Sequence, residues 1–278
     1  MSKRNFCGGF VYNQSSWNQY WEGNFLRNNE NIGTVKSQSV MAMANYGITS
    51  KWNVLASTQW ISNRATAGTL IQQQGVQDLS VFLKNEFFSK EIKGFSTSLV
   101  AVAGFSVPLT NYVADYLPLS IGFQSRTASL RLLADIQKGH WYSTLSAAYV
   151  HRSNVTIDRD TYYTTSLIQS NKVAMPNVVL WNVRVGWRDG GDKYYELVAD
   201  KMATQDGFDI RKNDMPFLSN KMAALRLGVN IKQPLGKQSG FSVMLTGMQT
   251  LTGRNMGKST QFSTGIVYQF EWKKKQQK

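Results

Sequence analysis

The sequence predicts an all-β protein: a closed antiparallel transmembrane β-barrel of about 12 strands, with short periplasmic turns and long extracellular loops. Three observations predict it. Segment after segment has one apolar and one polar face at a period of two, as strands do when they separate an oily medium from a wet one. Short links alternate with long loops, and an even strand count puts both chain ends on one side. Tryptophans stand near strand ends and the last strand is rich in aromatics, the pattern of an apolar band edged by aromatic girdles.

The two-faced pattern is clearest over 75–88. Leu79, Val81, Leu83 and Phe87 form one face and Asp78, Ser80, Lys84 and Glu86 the other, with Phe82 and Asn85 breaking the alternation. Earlier, Phe6, Gly8, Phe10 and Tyr12 share a face and predict a first strand. Trp17, Tyr20 and Trp21 then read either as an interfacial anchor or as a group folded into the lumen. A weakly patterned strand over 35–46 leads to the link Gly47-Ile48-Thr49-Ser50, and the next strand aligns Trp52, Val54, Ala56, Thr58 and Trp60.

A polar loop over 62–74 precedes the organising strand and Ser89-Lys90-Glu91 is the tight link after it. Phe95, Thr97, Leu99, Ala101, Ala103 and Phe105 form the next apolar face, followed by a loop over 107–125 with Pro108 and Pro118. Ala128, Leu130, Leu132, Ala134 and Ile136 oppose Ser129, Arg131 and Asp135 up to the turn Lys138-Gly139-His140. Trp141 to His151 rises to the longest loop, 152–176, from which Val179, Trp181, Val183, Val185 and Trp187 return opposite Asn182 and Arg184. Tyr195, Leu197 and Ala199 oppose Glu196 and Asp200; beyond a loop over 204–220, Ala223, Leu225, Leu227, Val229 and Ile231 oppose Arg226, Asn230 and Lys232. Phe241, Val243 and Leu245, then Phe262, Thr264, Ile266, Tyr268, Phe270 and Trp272, complete the set.

Composition removes several function classes. The 278 residues hold no Pro/Gly/Ser-rich linker and read as one unit: 1–34 the first strand and an aromatic-rich loop that could serve as a reduced plug, 35–272 the remainder of the barrel, 273–278 a basic tail. No apolar run reaches the ~20 residues of a membrane helix. No apolar stretch follows Met1-Ser2-Lys3-Arg4, so an exported protein would be met here in mature or trimmed form. One cysteine, Cys7, and two histidines, His140 and His151, provide neither a disulfide nor a zinc or His-rich metal site, and no cofactor is expected. The net charge of +14 is scattered singly, Lys273-Lys274-Lys275 excepted, without a nucleic-acid-binding module. It suits the anionic surfaces of a bacterial outer membrane, whose lipid and lipopolysaccharide are the expected surroundings, with other envelope proteins as further partners.

An antiparallel sheet of this size must deal with its edges, and closure pairs every backbone group. A soluble sandwich would alternate too, but the many charges on the minority face and the tryptophans at strand ends favour the membrane. Asp78, Lys84, Glu86, Arg131, Asp135, Arg184, Glu196, Asp200 and Arg226 are then expected in the lumen, pairing as a ladder that braces the wall. About twelve strands lie between barrels filled by side chains and open porins, so the lumen is expected to be narrow or partly plugged. Met202, Met222 and Met248 fall on the inferred inner faces of three consecutive strands, below Met215-Pro216-Phe217-Leu218. Flexible thioethers adapt to varied apolar ligands, which makes Met202, Met222, Met248 and Phe217 a candidate vestibule for a small hydrophobic solute. The plainer alternative is that the methionines pack the loop into the mouth.

Gly75-Val76-Gln77-Asp78-Leu79-Ser80 with Lys84 and Phe87, Asn31-Ile32-Gly33-Thr34, and Pro118-Leu119-Ser120-Ile121-Gly122 resemble the outer-membrane family associated with the meta-pathway of phenol degradation. The resemblance spans most of the chain, marks strand ends instead of chemistry, and implies kinship to fatty-acid and aromatic-hydrocarbon channels and uptake of hydrophobic compounds. Two other classes compete. An accessory barrel within a larger envelope complex would have the same sequence pattern. His151-Arg152-Ser153-Asn154 is similar to the His-x-Ser-Asn of outer-membrane phospholipases and lipid A deacylases, where histidine activates serine, although Val155 stands where glycine or alanine usually follows.

Overall fold

The computed structural model describes residues 3–70, 72–190, 192–211, 214–236 and 240–271. Gly191, Trp272 and the basic stretch 273–278 lie outside them. Twelve wall strands, numbered in chain order, form the barrel: β1 (Asn5–Trp17), β2 (Val35–Gly47), β3 (Trp52–Ala65), β4 in two pieces (Gln72–Val76 and Asp78–Ile92), β5 (Phe95–Pro108), β6 (Thr127–Lys138), β7 (Trp141–Arg152), β8 (Val178–Arg188), β9 (Tyr194–Thr204), β10 (Ala223–Pro234), β11 (Phe241–Arg254) and β12 (Thr260–Glu271). Each pairs antiparallel with the next, and residues 5–16 of β1 pair with 260–271 of β12, which closes the sheet.

The reason this sequence closes into a membrane barrel is visible in which face is hidden. Leu130 and Leu132 on β6 are 54% and 53% exposed on the outside, while Arg131 and Asp135, at alternate positions, point inward. The same inversion holds for Phe105, Leu145, Trp181, Leu197, Leu227, Phe262 and Ile266, all large, apolar and exposed. A soluble sandwich would bury these side chains; on a barrel they meet acyl chains, and the wall itself separates them from the polar interior.

Two irregularities shape β4. Gln77 separates its pieces, and the register with β3 moves from the pair Trp60–Val76 to the pair Ser57–Ser80 across it. A second shift lies between Glu86 and Phe88 against β5, so that Phe87 is the extra residue and both Phe87 and Phe88 are exposed. Phe82, which interrupts the polar face in the sequence, points inward and lies over Gly104 of β5.

The packed apolar core belongs to the loops. Ala114, Val155, Ile157, Tyr162, Val173, Met175, Phe217 and Leu218 cluster where the β5–β6, β7–β8 and β9–β10 loops meet. A second cluster joins Leu119 of the β5–β6 loop to Val35 and Ala65 at the tops of β2 and β3. The 18–34 connection forms a hairpin, Gln19–Glu22 against Phe25–Asn28, that docks on the β11–β12 loop through the bridge between Tyr20 and Gly257.

Candidate functional site

The lumen is built by the inward positions of all twelve strands, and its charges follow the alternation. Asp78, Lys84, Glu86, Arg131, Asp135, Arg184, Glu196, Asp200 and Arg226 all occupy inward positions in the pairing register. Three ion pairs tie the strands together: Arg226 to Asp200 at 2.5 Å and Arg184 to Glu196 at 3.6 Å join adjacent strands, and Arg188 on β8 reaches over β7 to Asp135 on β6 at 2.7 Å. Glu196 also accepts hydrogen bonds from the Tyr142 hydroxyl and from Asn230 Nδ2, the latter at 2.7 Å. Asp135 accepts another from Thr144 Oγ1 at 2.5 Å, and the Arg188 guanidinium lies 3.6 Å from the Tyr142 ring centre. The network surrounds a cavity of about 490 Å³ near the periplasmic turns, lined by Asp135, Gln137, Tyr142, Arg184, Tyr194 and Glu196 among others.

Tyr142 and Arg188 also belong to this network, although neither stands out as a lumen residue in the sequence. The signal that Tyr142 carries is its alternation with the outward Trp141, Ser143 and Leu145. Arg188 carried no signal, since it reads as the first residue of a turn but is the last residue of β8. Around the lumen, Asn45 Oδ1, Asn53 Nδ2, Arg188 Nε, Arg226 Nε and Asn230 Oδ1 are buried without a protein hydrogen-bond partner. In a dry core each such group costs about 1–3 kcal/mol. A lumen that admits water removes the penalty.

The mouth is narrowed by the β5–β6 loop, residues 109–126, which folds onto the inner surface of β3 and β4. Asn63 Nδ2 donates to the carbonyls of Leu119 and Ser120 at 3.2 and 2.8 Å, and the Tyr112 hydroxyl donates to Asp78 Oδ1 at 2.8 Å while accepting from the Gln124 amide at 3.1 Å. Burial pushes the Tyr112 phenol above its ordinary range, which keeps it a donor. Opposite, Trp21 covers Gly253 of β11 and Trp17 covers Gly257. The aromatic group near the N-terminus therefore packs on the β11–β12 end of the mouth, and the long inward crossing belongs to the β5–β6 loop.

Met202 and Met248 take inward positions on β9 and β11, whereas Met222 precedes β10 and does not stand on a wall strand. Met202 pairs with Ala224, Met248 places its sulfur over Gly228, and the Met222 amide donates to Thr204 Oγ1. Phe217 is buried in the loop core, its ring stacked on Tyr162 at 5.3 Å, and lines a cavity of about 270 Å³ with Asp115, Arg159 and Tyr163. None of the described cavities joins Phe217 to the three methionines.

His151 points outward at the top of β7, exposed. Ser153 Oγ accepts from the Arg126 amide at 3.0 Å and lies 3.5 Å from Ser125 Oγ; no hydrogen bond to His151 is formed among the described residues.

No protein-family model matches the chain, and no curated protein matches it by sequence. Among solved structures, an outer membrane channel from Pseudomonas putida F1 superposes with a TM-score of 0.77 at 11% identity, over 97% of this chain and 97% of that one. The β domain of the Bordetella autotransporter BrkA superposes with a TM-score of 0.50 at 14% identity, over 95% of this chain and 99% of that one. The fold is that of a bacterial outer-membrane β-barrel.

Proposed function

We propose that the chain is a narrow outer-membrane channel that passes small solutes through a wet lumen. One observation carries this reading: the inner wall is a hydrogen-bonded ladder of charges with unpartnered buried polar atoms, as an aqueous passage allows and a packed core does not. The likeness of fold to an outer membrane channel supports it. In-folding of the β5–β6 loop makes the passage selective for small solutes.

A second reading, uptake of hydrophobic compounds, is favoured by apolar side chains on the inner wall: Met202 on β9, Met248 on β11 and Phe82 on β4. An acyl hydrolase is disfavoured by the engagement of Ser153 Oγ with Arg126 and Ser125 in place of His151. Swelling of liposomes containing the purified chain, in sugars and amino acids of graded size, tests the first reading. Influx of an apolar fluorescent ligand, with and without substitution of Met202 and Met248 by glutamine, tests the second. A folded protein that supports neither flux would belong instead to the accessory barrels of larger complexes.

A further inference from the structure

The outside of the barrel is not uniformly convex. Where β12, β1, β2 and β3 meet, Gly8, Ala42, Ala44, Ala56 and Thr58 form the floor of a groove of about 840 Å³ with an almost wholly apolar lining, between ridges made by Phe10, Tyr268 and their neighbours. The register explains it: Gly8 stands opposite Ala44, Ala44 opposite Ala56, and Ala42 opposite Thr58, so small side chains lie in a row across three strands. The volume falls within the range of about 300–1,000 Å³ common to small-molecule sites.

Following the same outward positions toward the long loops gives a second, independent feature. Above the groove come Tyr12 and Trp60, then a band of amides, Gln14, Gln38 and Gln74, in which Gln38 Nε2 donates to Tyr12 at 2.9 Å. Above these, Lys36 and Arg64 are directly cross-strand partners, both exposed. Like charges directly opposite on one face destabilise a sheet. Neither takes part in an ion pair among the described residues, and the residues flanking them, Ser16 and Gln72, are neutral. Lys201, an outward cation at this end of β9, behaves differently: it stands singly between Trp181 and Leu225.

Read from the middle of the wall outward, one strip therefore presents an apolar groove, an aromatic girdle, hydrogen-bonding amides and an unneutralised cation pair. We infer that this strip binds a phosphorylated glycolipid of the outer leaflet, its acyl chains in the groove over Ala42 and Ala44, its sugars on the glutamines and its phosphate between Lys36 and Arg64. The anion relieves the repulsion between the two cations, so that folding and lipid binding reinforce each other. The inference is independent of which solute the lumen passes.

The test uses the full chain purified in detergent. It is titrated in native mass spectrometry with diphosphorylated lipid A, with the same glycolipid lacking phosphates, and with inorganic phosphate. The phosphorylated lipid is expected to form a one-to-one adduct that binds about tenfold or more tightly than the phosphate-free form, a difference of the size that two surface cations provide. K36Q/R64Q is expected to abolish that difference and A44F to weaken the adduct, while K201Q leaves it unchanged and all three retain the conductance of the parent. Removing an exposed repulsive pair does not endanger folding, so K36Q/R64Q stays informative if A44F fails to fold. Equal binding of phosphorylated and phosphate-free lipid, full retention of the adduct by K36Q/R64Q, or binding of inorganic phosphate without the lipid would each overturn the assignment.

Discussion

Phe82 lies across Gly104 inside the barrel, so close that a methyl group at Gly104 would fall 2.5 Å from the ring and 2.6 Å from Ser129 Oγ. The ring interrupts the polar inner face of β4, and the missing side chain on β5 is what admits it. Gly104→Ala is expected to overpack this contact and destabilise the barrel by about 1–3 kcal/mol, read as a lower urea midpoint for folding into lipid vesicles. Phe82→Ala removes the ring from the passage. Its expected signature is a larger single-channel conductance.

Tyr112 and Asp78 fasten the constricting loop to the wall. Tyr112→Phe deletes both the bond to Asp78 and the one accepted from the Gln124 amide, and leaves Asp78 short of a donor. Faster hydrogen exchange across 109–126 is expected, equivalent to about 1–3 kcal/mol of local stability, together with a higher and noisier current. Exchange unchanged from the parent would mean that Asn63 holds the loop without Tyr112.

Asn255 ties three loops together. Its Oδ1 accepts from the amides of Gly23 and Ile210 at 2.7 and 3.1 Å, and its Nδ2 donates to Asp209 Oδ1 and to the Lys221 carbonyl at 2.8 and 2.6 Å. Asn255→Ala removes the side-chain partner of the Gly23 and Ile210 amides and the Lys221 carbonyl, while Asp209 keeps its bonds from Arg254. Limited proteolysis is expected to cut the 18–34 hairpin and the 205–222 loop several-fold faster, with the wall strands intact.

The same latch carries a pH dependence. Hydrogen bonds from Arg254, at 2.7 and 2.6 Å, and from Asn255 hold the Asp209 carboxyl below its usual range despite some burial. A depressed folded value means that the stabilisation is complete above the pKa of the unfolded carboxyl, about 3.9, and is lost as pH falls through the lower folded value. The Ile210 amide resonance is expected to stay constant from neutral pH to about pH 4 and to move only below it. Asp209→Asn should remove that movement.

How much of this was legible from sequence differs between wall and roof. The wall was readable because bilayer and lumen impose opposite demands on alternate residues: Leu130, Leu132 and Ile136 against Arg131 and Asp135 leave one assignment of faces and one register. Where the wall departs from regularity the pattern was silent. Neither the break at Gln77 nor the extra residue at Phe87 has a period to betray it, and Phe82 breaks the polar face because its partner, Gly104, lies on another strand. The roof was not readable, since loop residues follow no repeat. The inward crossing of the β5–β6 loop depends on Asn63 reaching Leu119 and Ser120 over more than fifty positions, and Asn255 meets Gly23 across most of the chain. Phe217, grouped in sequence with methionines below it, finds its partner instead in Tyr162 of another loop.

The central claim is that polar inner faces enclose a water-filled passage narrowed by the β5–β6 loop. Planar-bilayer recording from the purified chain, compared with a variant in which 112–122 is replaced by a short Gly/Ser link, addresses it most directly. The account predicts small discrete conductance steps for the parent and markedly larger ones for the shortened variant. A parent that inserts as a folded barrel yet conducts nothing, with a shortened variant equally silent, would contradict it.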